Sequence, residues 1–140
     1  MAAERSEAEE LVRRMIDAWN RRDLDGMIAC ADPDIEYVNP PDAMEPGTRR
    51  GHAELASVAR KQWEALEPDG RQEVERVLVR GDEVLTVVLL TRSMPGSDSR
   101  VEARALLSWR VVDGRVTRME VVGAGTRFAE AIEEAGFSDA

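Results

Sequence analysis

The sequence predicts an α+β fold in which helices gather on one face of a bent antiparallel sheet, and three observations predict it. Apolar residues recur at three- and four-residue steps as far as Leu66, then at two-residue steps from about Gln72 onward, so the pattern changes from helical to extended. Glu67-Pro68-Asp69-Gly70 stands at the changeover as a helix stop. Two turn signals, Gly81-Asp82 and Val112-Asp113-Gly114, divide the second half into hairpins. Helices followed by a run of strands indicate segregated layers rather than alternating βαβ units.

Each element has its own signal. Ala8, Leu11, Val12, Met15, Ile16 and Trp19 form one helical stripe, and Ser6 with Glu9 three residues on makes a capping box. Asp23 caps a short second helix with Leu24, Met27 and Ile28 inside, and Asp32-Pro33-Asp34 ends it. Residues 35–39 are a short strand that Pro40 and Pro41 stop. A third helix begins near Gly51 or His52 and turns Ala56, Ala59, Trp63 and Leu66 inward. Strands follow at 72–80, 83–93, 100–112 and 115–122. In the last hairpin a three-residue turn opposes Val111 to Arg115 and groups Leu107 and Trp109 with Met119 and Val121; a two-residue turn would mix the faces. Thr126 caps a final helix through Phe128, Ala129 and Ile132, and Gly136 closes it.

At 140 residues the chain reads as one domain over residues 5–137 with short flexible termini. Cys30 is the only cysteine and His52 the only histidine, which excludes an intrachain disulfide, a Cys/His zinc cluster and a two-histidine iron site. No metal or other cofactor is implied. A net charge of −9 argues against a nucleic-acid groove and against anionic lipid. The first residues lead into acids rather than an apolar core, and the run from Val84 to Leu90 is too short to span a bilayer. A cytoplasmic location is expected.

The candidate site begins at Tyr37-Val38-Asn39-Pro40. Tyr37 and Asn39 are two apart on an extended backbone, so a phenol and an amide point the same way where the chain leaves the sheet. Both orient a bound oxygen, and neither is an acid or base near neutral pH. Inward positions of the other elements add Met15, Trp19 and Trp63 from the helices, then Val88, Leu90, Leu107, Trp109, Met119 and Val121 from the strands. That lining is apolar with one polar corner, as small-molecule sites are. His52, beside Arg49 and Arg50, reads as a loop residue, and no serine sits in a nucleophile motif. Asp42 and Glu45 are the carboxylates a loop would bring to the pocket mouth, where one of them, Asp42 first, is the expected base if catalysis occurs, and Arg92 shares the face of Leu90 at the rim. On the outer face Glu102, Arg104, Ser108 and Arg110 surround Leu106, beside the apolar Leu85, Val87 and Leu89. An apolar outer side favours a homodimer through the convex face.

The order of elements, Arg22-Asp23-Leu24-Asp25-Gly26-Met27 after the first helix, Tyr37-Val38-Asn39-Pro40 at the strand end, and Pro46-Gly47 with Gly51 before the third helix resemble the nuclear-transport-factor-2-like superfamily, in its SnoaL-like and ketosteroid isomerase branch. The resemblance runs from about Glu7 to Phe128 and implies a cone-shaped α+β barrel with an internal pocket and frequent dimerisation. Ketosteroid isomerases place a carboxylate base, a tyrosine and an aspartic acid where this chain has Asn39, Met15 and Leu107. An amide cannot abstract the proton, so that mechanism is not expected. Limonene-epoxide hydrolases are similar at Tyr37 and Asn39, but their aspartate–arginine–aspartate relay falls on Val88, Leu90 and Val121. Glu120 lies beside the last of these and faces outward.

The leading expectation is a domain binding a small, largely apolar metabolite, with isomerase, cyclase or dehydratase chemistry on an enolisable carbonyl if it is an enzyme. A non-catalytic binding or association module, an epoxide hydrolase-like enzyme with an incomplete relay, and a dimer with a filled core are the alternatives.

Overall fold

The computed structural model describes residues 6–41, 46–67, 69–94, 96–124 and 128–136. Helix α1 (Glu7–Asn20) starts at its predicted cap, where the Ser6 hydroxyl accepts from the Glu9 amide at 3.0 Å. The Glu9 carboxylate accepts from Arg13 Nε at 2.8 Å, one turn on. Leu11, Val12, Met15, Ile16 and Trp19 are buried along the predicted stripe, with Ala18 beside them. Helix α2 (Leu24–Cys30) is capped by Asp23, whose carboxylate accepts from the Gly26 amide at 3.0 Å.

Strand β1 (Ala31–Asn39) follows α2 directly, earlier than the expected start at residue 35. Asp32-Pro33-Asp34 lies inside the strand as an irregularity: pairing with the last strand jumps from Ala31 opposite Val116 to Glu36 opposite Arg118. A bulge is where a strand tolerates proline, which has no amide to give to the ladder. Strand β2 (Gly47–Arg50) returns antiparallel along β1, with Arg50 opposite Glu36 and bonded to it. This strand was expected to be loop. A short, exposed, polar edge strand buries no face, so no alternation marks it.

Helix α3 (His52–Ala65) precedes β3 (Arg71–Arg80), β4 (Glu83–Ser93), β5 (Arg100–Val112) and β6 (Arg115–Ala124), all close to the predicted runs, and α4 (Phe128–Ala135) ends the described fold. Thr126, the expected cap of α4, lies outside the described residues. The six strands form one curved, open sheet in the order β2-β1-β6-β5-β4-β3. One correction concerns direction: β1 runs parallel to β6, so the sheet is mixed rather than antiparallel. Hairpins force antiparallel pairing, whereas most of the chain separates β1 from β6 and leaves their relative direction free.

The last hairpin corrects the predicted turn and keeps the predicted faces. Val112 opposes Arg115 across a two-residue turn, with Asp113 at φ 50° and Gly114 at φ 76°. Both are positive, as a type I′ turn requires. A bulge at Thr117 then restores the register, so Trp109 opposes Met119 and Leu107 opposes Val121. The Gly81-Asp82 hairpin is as predicted, with Gly81 at φ 59° between Arg80 and Glu83.

Helices α1, α2 and α3 pack with Val84, Val88, Leu107, Trp109 and Val116 in one core. On the opposite face Leu85, Val87 and Leu106 pack under Ala131, with Phe128 and Ile132 of α4 alongside. The expected dimer rested on an uncovered row at Leu85, Val87 and Leu89. Since α4 covers the first two within the same chain, that row no longer calls for a partner.

The turn after α3 is latched to the sheet. Asp69 accepts from the Ser93 amide at 2.8 Å, the Ser93 hydroxyl at 2.7 Å and Arg100 Nη1 at 2.8 Å. The two bonds from Ser93 and then that from Arg100 hold the Asp69 carboxyl well below the ordinary carboxylate range. A group with a depressed folded pKa contributes stability above its unfolded value, about 3.9 for aspartate, and loses it as pH falls toward the folded value. Asp69→Asn therefore lowers the melting temperature at pH 7 and lowers it less at pH 3. Thermal melts followed by circular dichroism at the two pH values check this, and an equal loss at both would contradict it.

Candidate active site

Between the helices and the inner sheet face lies a cavity of about 210 Å³. An engineered cavity of about 150 Å³ admits benzene, so this one has room for one or two rings. Eight of the nine side chains expected to form the apolar lining do line it: Met15 and Trp19 of α1 and Val88 and Leu90 of β4. Leu107 and Trp109 of β5 and Met119 and Val121 of β6 complete them.

The ninth, Trp63, is not part of the wall. It packs against Trp19 at 6.4 Å between ring centres and donates its indole N–H to the Trp19 carbonyl at 3.0 Å. From α3 the wall takes Leu55, Val58, Ala59 and Gln62, followed by Leu66 just after the helix, so Ala59 and Leu66 are as predicted while Leu55 and Gln62 stand in place of Ala56 and Trp63. Strict apolar matching passed over Gln62 because it is polar. Its spacing of three from Ala59 and four to Leu66 was the available signal.

Gln62 connects two elements that carry the site. Its Oε1 accepts from Trp19 Nε1 at 2.9 Å, and its Nε2 donates to the Tyr37 hydroxyl oxygen at 3.0 Å. The directions are fixed by chemistry. An indole nitrogen only donates, so Gln62 must turn its oxygen to Trp19 and its amino group to Tyr37. Tyr37 therefore accepts from Gln62 and keeps its own hydroxyl hydrogen for another partner. The phenol is 5% exposed and lines the cavity. Burial raises its pKa above the ordinary value, against a smaller opposing effect of the Gln62 bond, so at neutral pH it is a neutral donor.

A second polar group was also missed. Gln72 lines the cavity from β3, sharing the inward face with Val74. Its backbone is clamped by Asn20, whose Oδ1 accepts from the Gln72 amide and whose Nδ2 donates to the Gln72 carbonyl, both at 2.8 Å. Trp109, by contrast, satisfies its indole on Thr86 Oγ1 at 2.9 Å and offers the cavity hydrocarbon alone.

The remaining candidates sit elsewhere. Asn39 is not among the cavity-lining residues; it is half-buried at the end of β1, opposite Gly47. Asp42 and Glu45 lie outside the described residues. The His52 ring nitrogen Nε2 bonds the Ala31 carbonyl at 3.0 Å, which ties the start of α3 to the start of β1. Arg92 donates to the Ala65 carbonyl at 2.8 Å, at the end of α3. Glu120 faces outward as expected, in a small polar hollow with Glu83, Ser108, Arg110 and Arg118. Among the described residues, no carboxylate or imidazole lines the cavity, and no cluster of His, Cys, Asp and Glu suits a metal ion. No helix among them is long and apolar enough to cross a membrane.

Comparison with known proteins agrees with this architecture. The pattern of the SnoaL-like domain matches residues 12–119. The chain belongs to the SnoaL-like domain family. Among solved structures it is similar to TerC co-crystallised with polyporic acid, at 24% identity and a TM-score of 0.73, over 91% of this chain and 99% of that one. It is also similar to AclR, a putative hydroxylase from Streptomyces galilaeus, at 25% identity and a TM-score of 0.67, over 93% and 85%. A putative ketosteroid isomerase from Kribbella flavida aligns at 22% identity and a TM-score of 0.65, over 81% and 75%. No curated protein matches the sequence.

Replacing Gln62 with Leu keeps the volume and removes both partners, leaving the Trp19 indole N–H unpaired in a part-buried position. The cost expected is about 1–3 kcal/mol. Urea denaturation of the variant measures it, and a change below about 0.5 kcal/mol would contradict the bonding scheme.

Proposed function

We propose that this chain binds a small, largely apolar metabolite in its cavity and holds an oxygen of that molecule, best a carbonyl, on the Tyr37 hydroxyl. The observation that carries the reading is the direction of the Gln62 bond, which leaves the Tyr37 hydrogen unspent beside an apolar cavity. A buried donor in a low-dielectric wall needs a partner, and a ligand oxygen supplies one.

This donor also polarises a bound ketone and favours its enolic form, which is the part of isomerase, cyclase or dehydratase chemistry that the described wall supports. Proton abstraction needs a base, and the isomerase positions that carry acids fall here on Met15, Leu107 and Asn39. Met15 and Leu107 are hydrocarbon surface in the cavity. The hydrolase relay positions, Val88, Leu90 and Val121, are apolar wall as well. Binding is therefore the better supported function. TerC, seen with polyporic acid, is a relative in which such a fold meets a small organic molecule. A cytoplasmic location and a homodimer remain compatible with the reading, which depends on neither.

Titration with α-tetralone, a two-ring ketone, followed by quenching of tryptophan fluorescence, tests the reading, since Trp19 and Trp109 stand in the wall. Tyr37→Phe is expected to weaken binding about tenfold, the equivalent of about 1.4 kcal/mol for one buried bond. An unchanged Kd would remove Tyr37 from the site.

A further inference from the structure

The geometry points to a ligand with two oxygen functions on one apolar frame: a carbonyl held by Tyr37 and a hydroxyl held by the side-chain amide of Gln72. This inference rests on the binding reading above and deepens it by naming the ligand class.

Gln72 Oε1 is the one buried side-chain polar atom, among the described residues, without a hydrogen-bond partner. Buried acceptors left unpaired cost about 1–3 kcal/mol, so an amide kept in this state has a partner outside the fold. The backbone of Gln72 has no freedom to seek one, because Asn20 grips both its N–H and its C=O. Rotation about the side-chain bonds is what remains, and the side chain already forms part of the cavity wall. Such a rotation would turn the amide toward a molecule in the cavity.

The chemistry of that partner follows from the amide. It carries one strong acceptor and two donors, and its oxygen and nitrogen exchange places by a half-turn. A ligand hydroxyl complements either orientation, since it donates to the oxygen and accepts from the nitrogen. A second carbonyl would meet only the nitrogen and leave the oxygen orphaned.

Tyr37 and Gln72 stand on different walls. Tyr37 is on β1 and Gln72 on β3, with β6, β5 and β4 between them in the sheet. The other wall residues between them, such as Leu107, Val88 and Met119, are apolar. A molecule that engages both polar groups thus crosses hydrocarbon surface, which favours an apolar frame with its oxygens at separated positions. Trp19 and Asn20 are consecutive in α1, one bonded through Gln62 toward Tyr37 and the other to Gln72, so a single helix end sets both groups.

The test compares α-tetralone, its isomers hydroxylated around the aromatic ring, and the matching phenols without the ketone, each titrated by tryptophan fluorescence. In the wild type at least one hydroxytetralone is expected to bind about tenfold tighter than α-tetralone. Gln72→Leu is expected to abolish that advantage, so that the hydroxytetralone binds no tighter than α-tetralone does to the same variant. Wild-type protein that shows no preference for a hydroxyl, or Gln72→Leu protein that keeps it, overturns the Gln72 assignment while leaving the Tyr37 site standing. Failure of every probe to bind the wild type overturns both. The wild-type comparison needs no variant, so a misfolded Gln72→Leu protein does not shield the inference.

Discussion

The Trp19–Gln62–Tyr37 chain of hydrogen bonds is the constraint on which the cavity depends. It joins the end of α1, the inward face of α3 and the end of β1 through one side chain. A glutamine is the fitting residue because it accepts at one end and donates at the other. Leucine would fill the space and leave an indole N–H orphaned; an acid would bring charge into a wall that has no counter-ion among the described lining residues. With glutamine the three elements are fixed and the tyrosine hydrogen is directed away from the protein.

The same corner is braced from outside. Arg22, at a positive φ of 58°, reaches the Gly70 carbonyl at 2.8 Å and lies over the Trp19 and Trp63 rings at 5.2 and 5.9 Å. Cation–π contacts of this kind contribute about 0.5–2 kcal/mol each, depending on exposure. Asn20 meanwhile pairs with the edge of β3 as a neighbouring strand would. The end of α1 therefore holds the start of β3, and with it Gln72, against the rim. Across the sheet α4 packs on Leu85 and Val87 of β4 and Leu106 of β5, so this second apolar cluster is covered within the chain.

Most of the fold was legible because periodicity reports burial. The stripe of α1 and the four strands after Gly70 follow from which positions are apolar, and the place of each hairpin follows from its glycine and aspartate. What escaped has physical reasons. Strand β2 buries nothing, the parallel pairing of β1 with β6 leaves no local mark, and the bulge at Thr117 reproduces the faces of a different turn. In the site, the apolar residues expected from α1 and the strands stand in the wall and Trp63 does not, while Gln62 and Gln72 were missed because a polar residue at an inward position counts against a pattern match. Asn39 erred the other way: its parity with Tyr37 is right, but β1 ends there and the side chain is half-exposed beside β2. Polar groups inside an apolar stripe are where function departs from packing, and only their partners reveal it.

A crystal structure of the protein with α-tetralone tests the central claim most directly. The account predicts the ketone oxygen about 2.7 Å from Tyr37 Oη, with Gln62 still bonded to both Trp19 and Tyr37. A ketone oxygen beyond about 4 Å from Tyr37, or a Tyr37 hydroxyl donating to a protein acceptor instead, would contradict it.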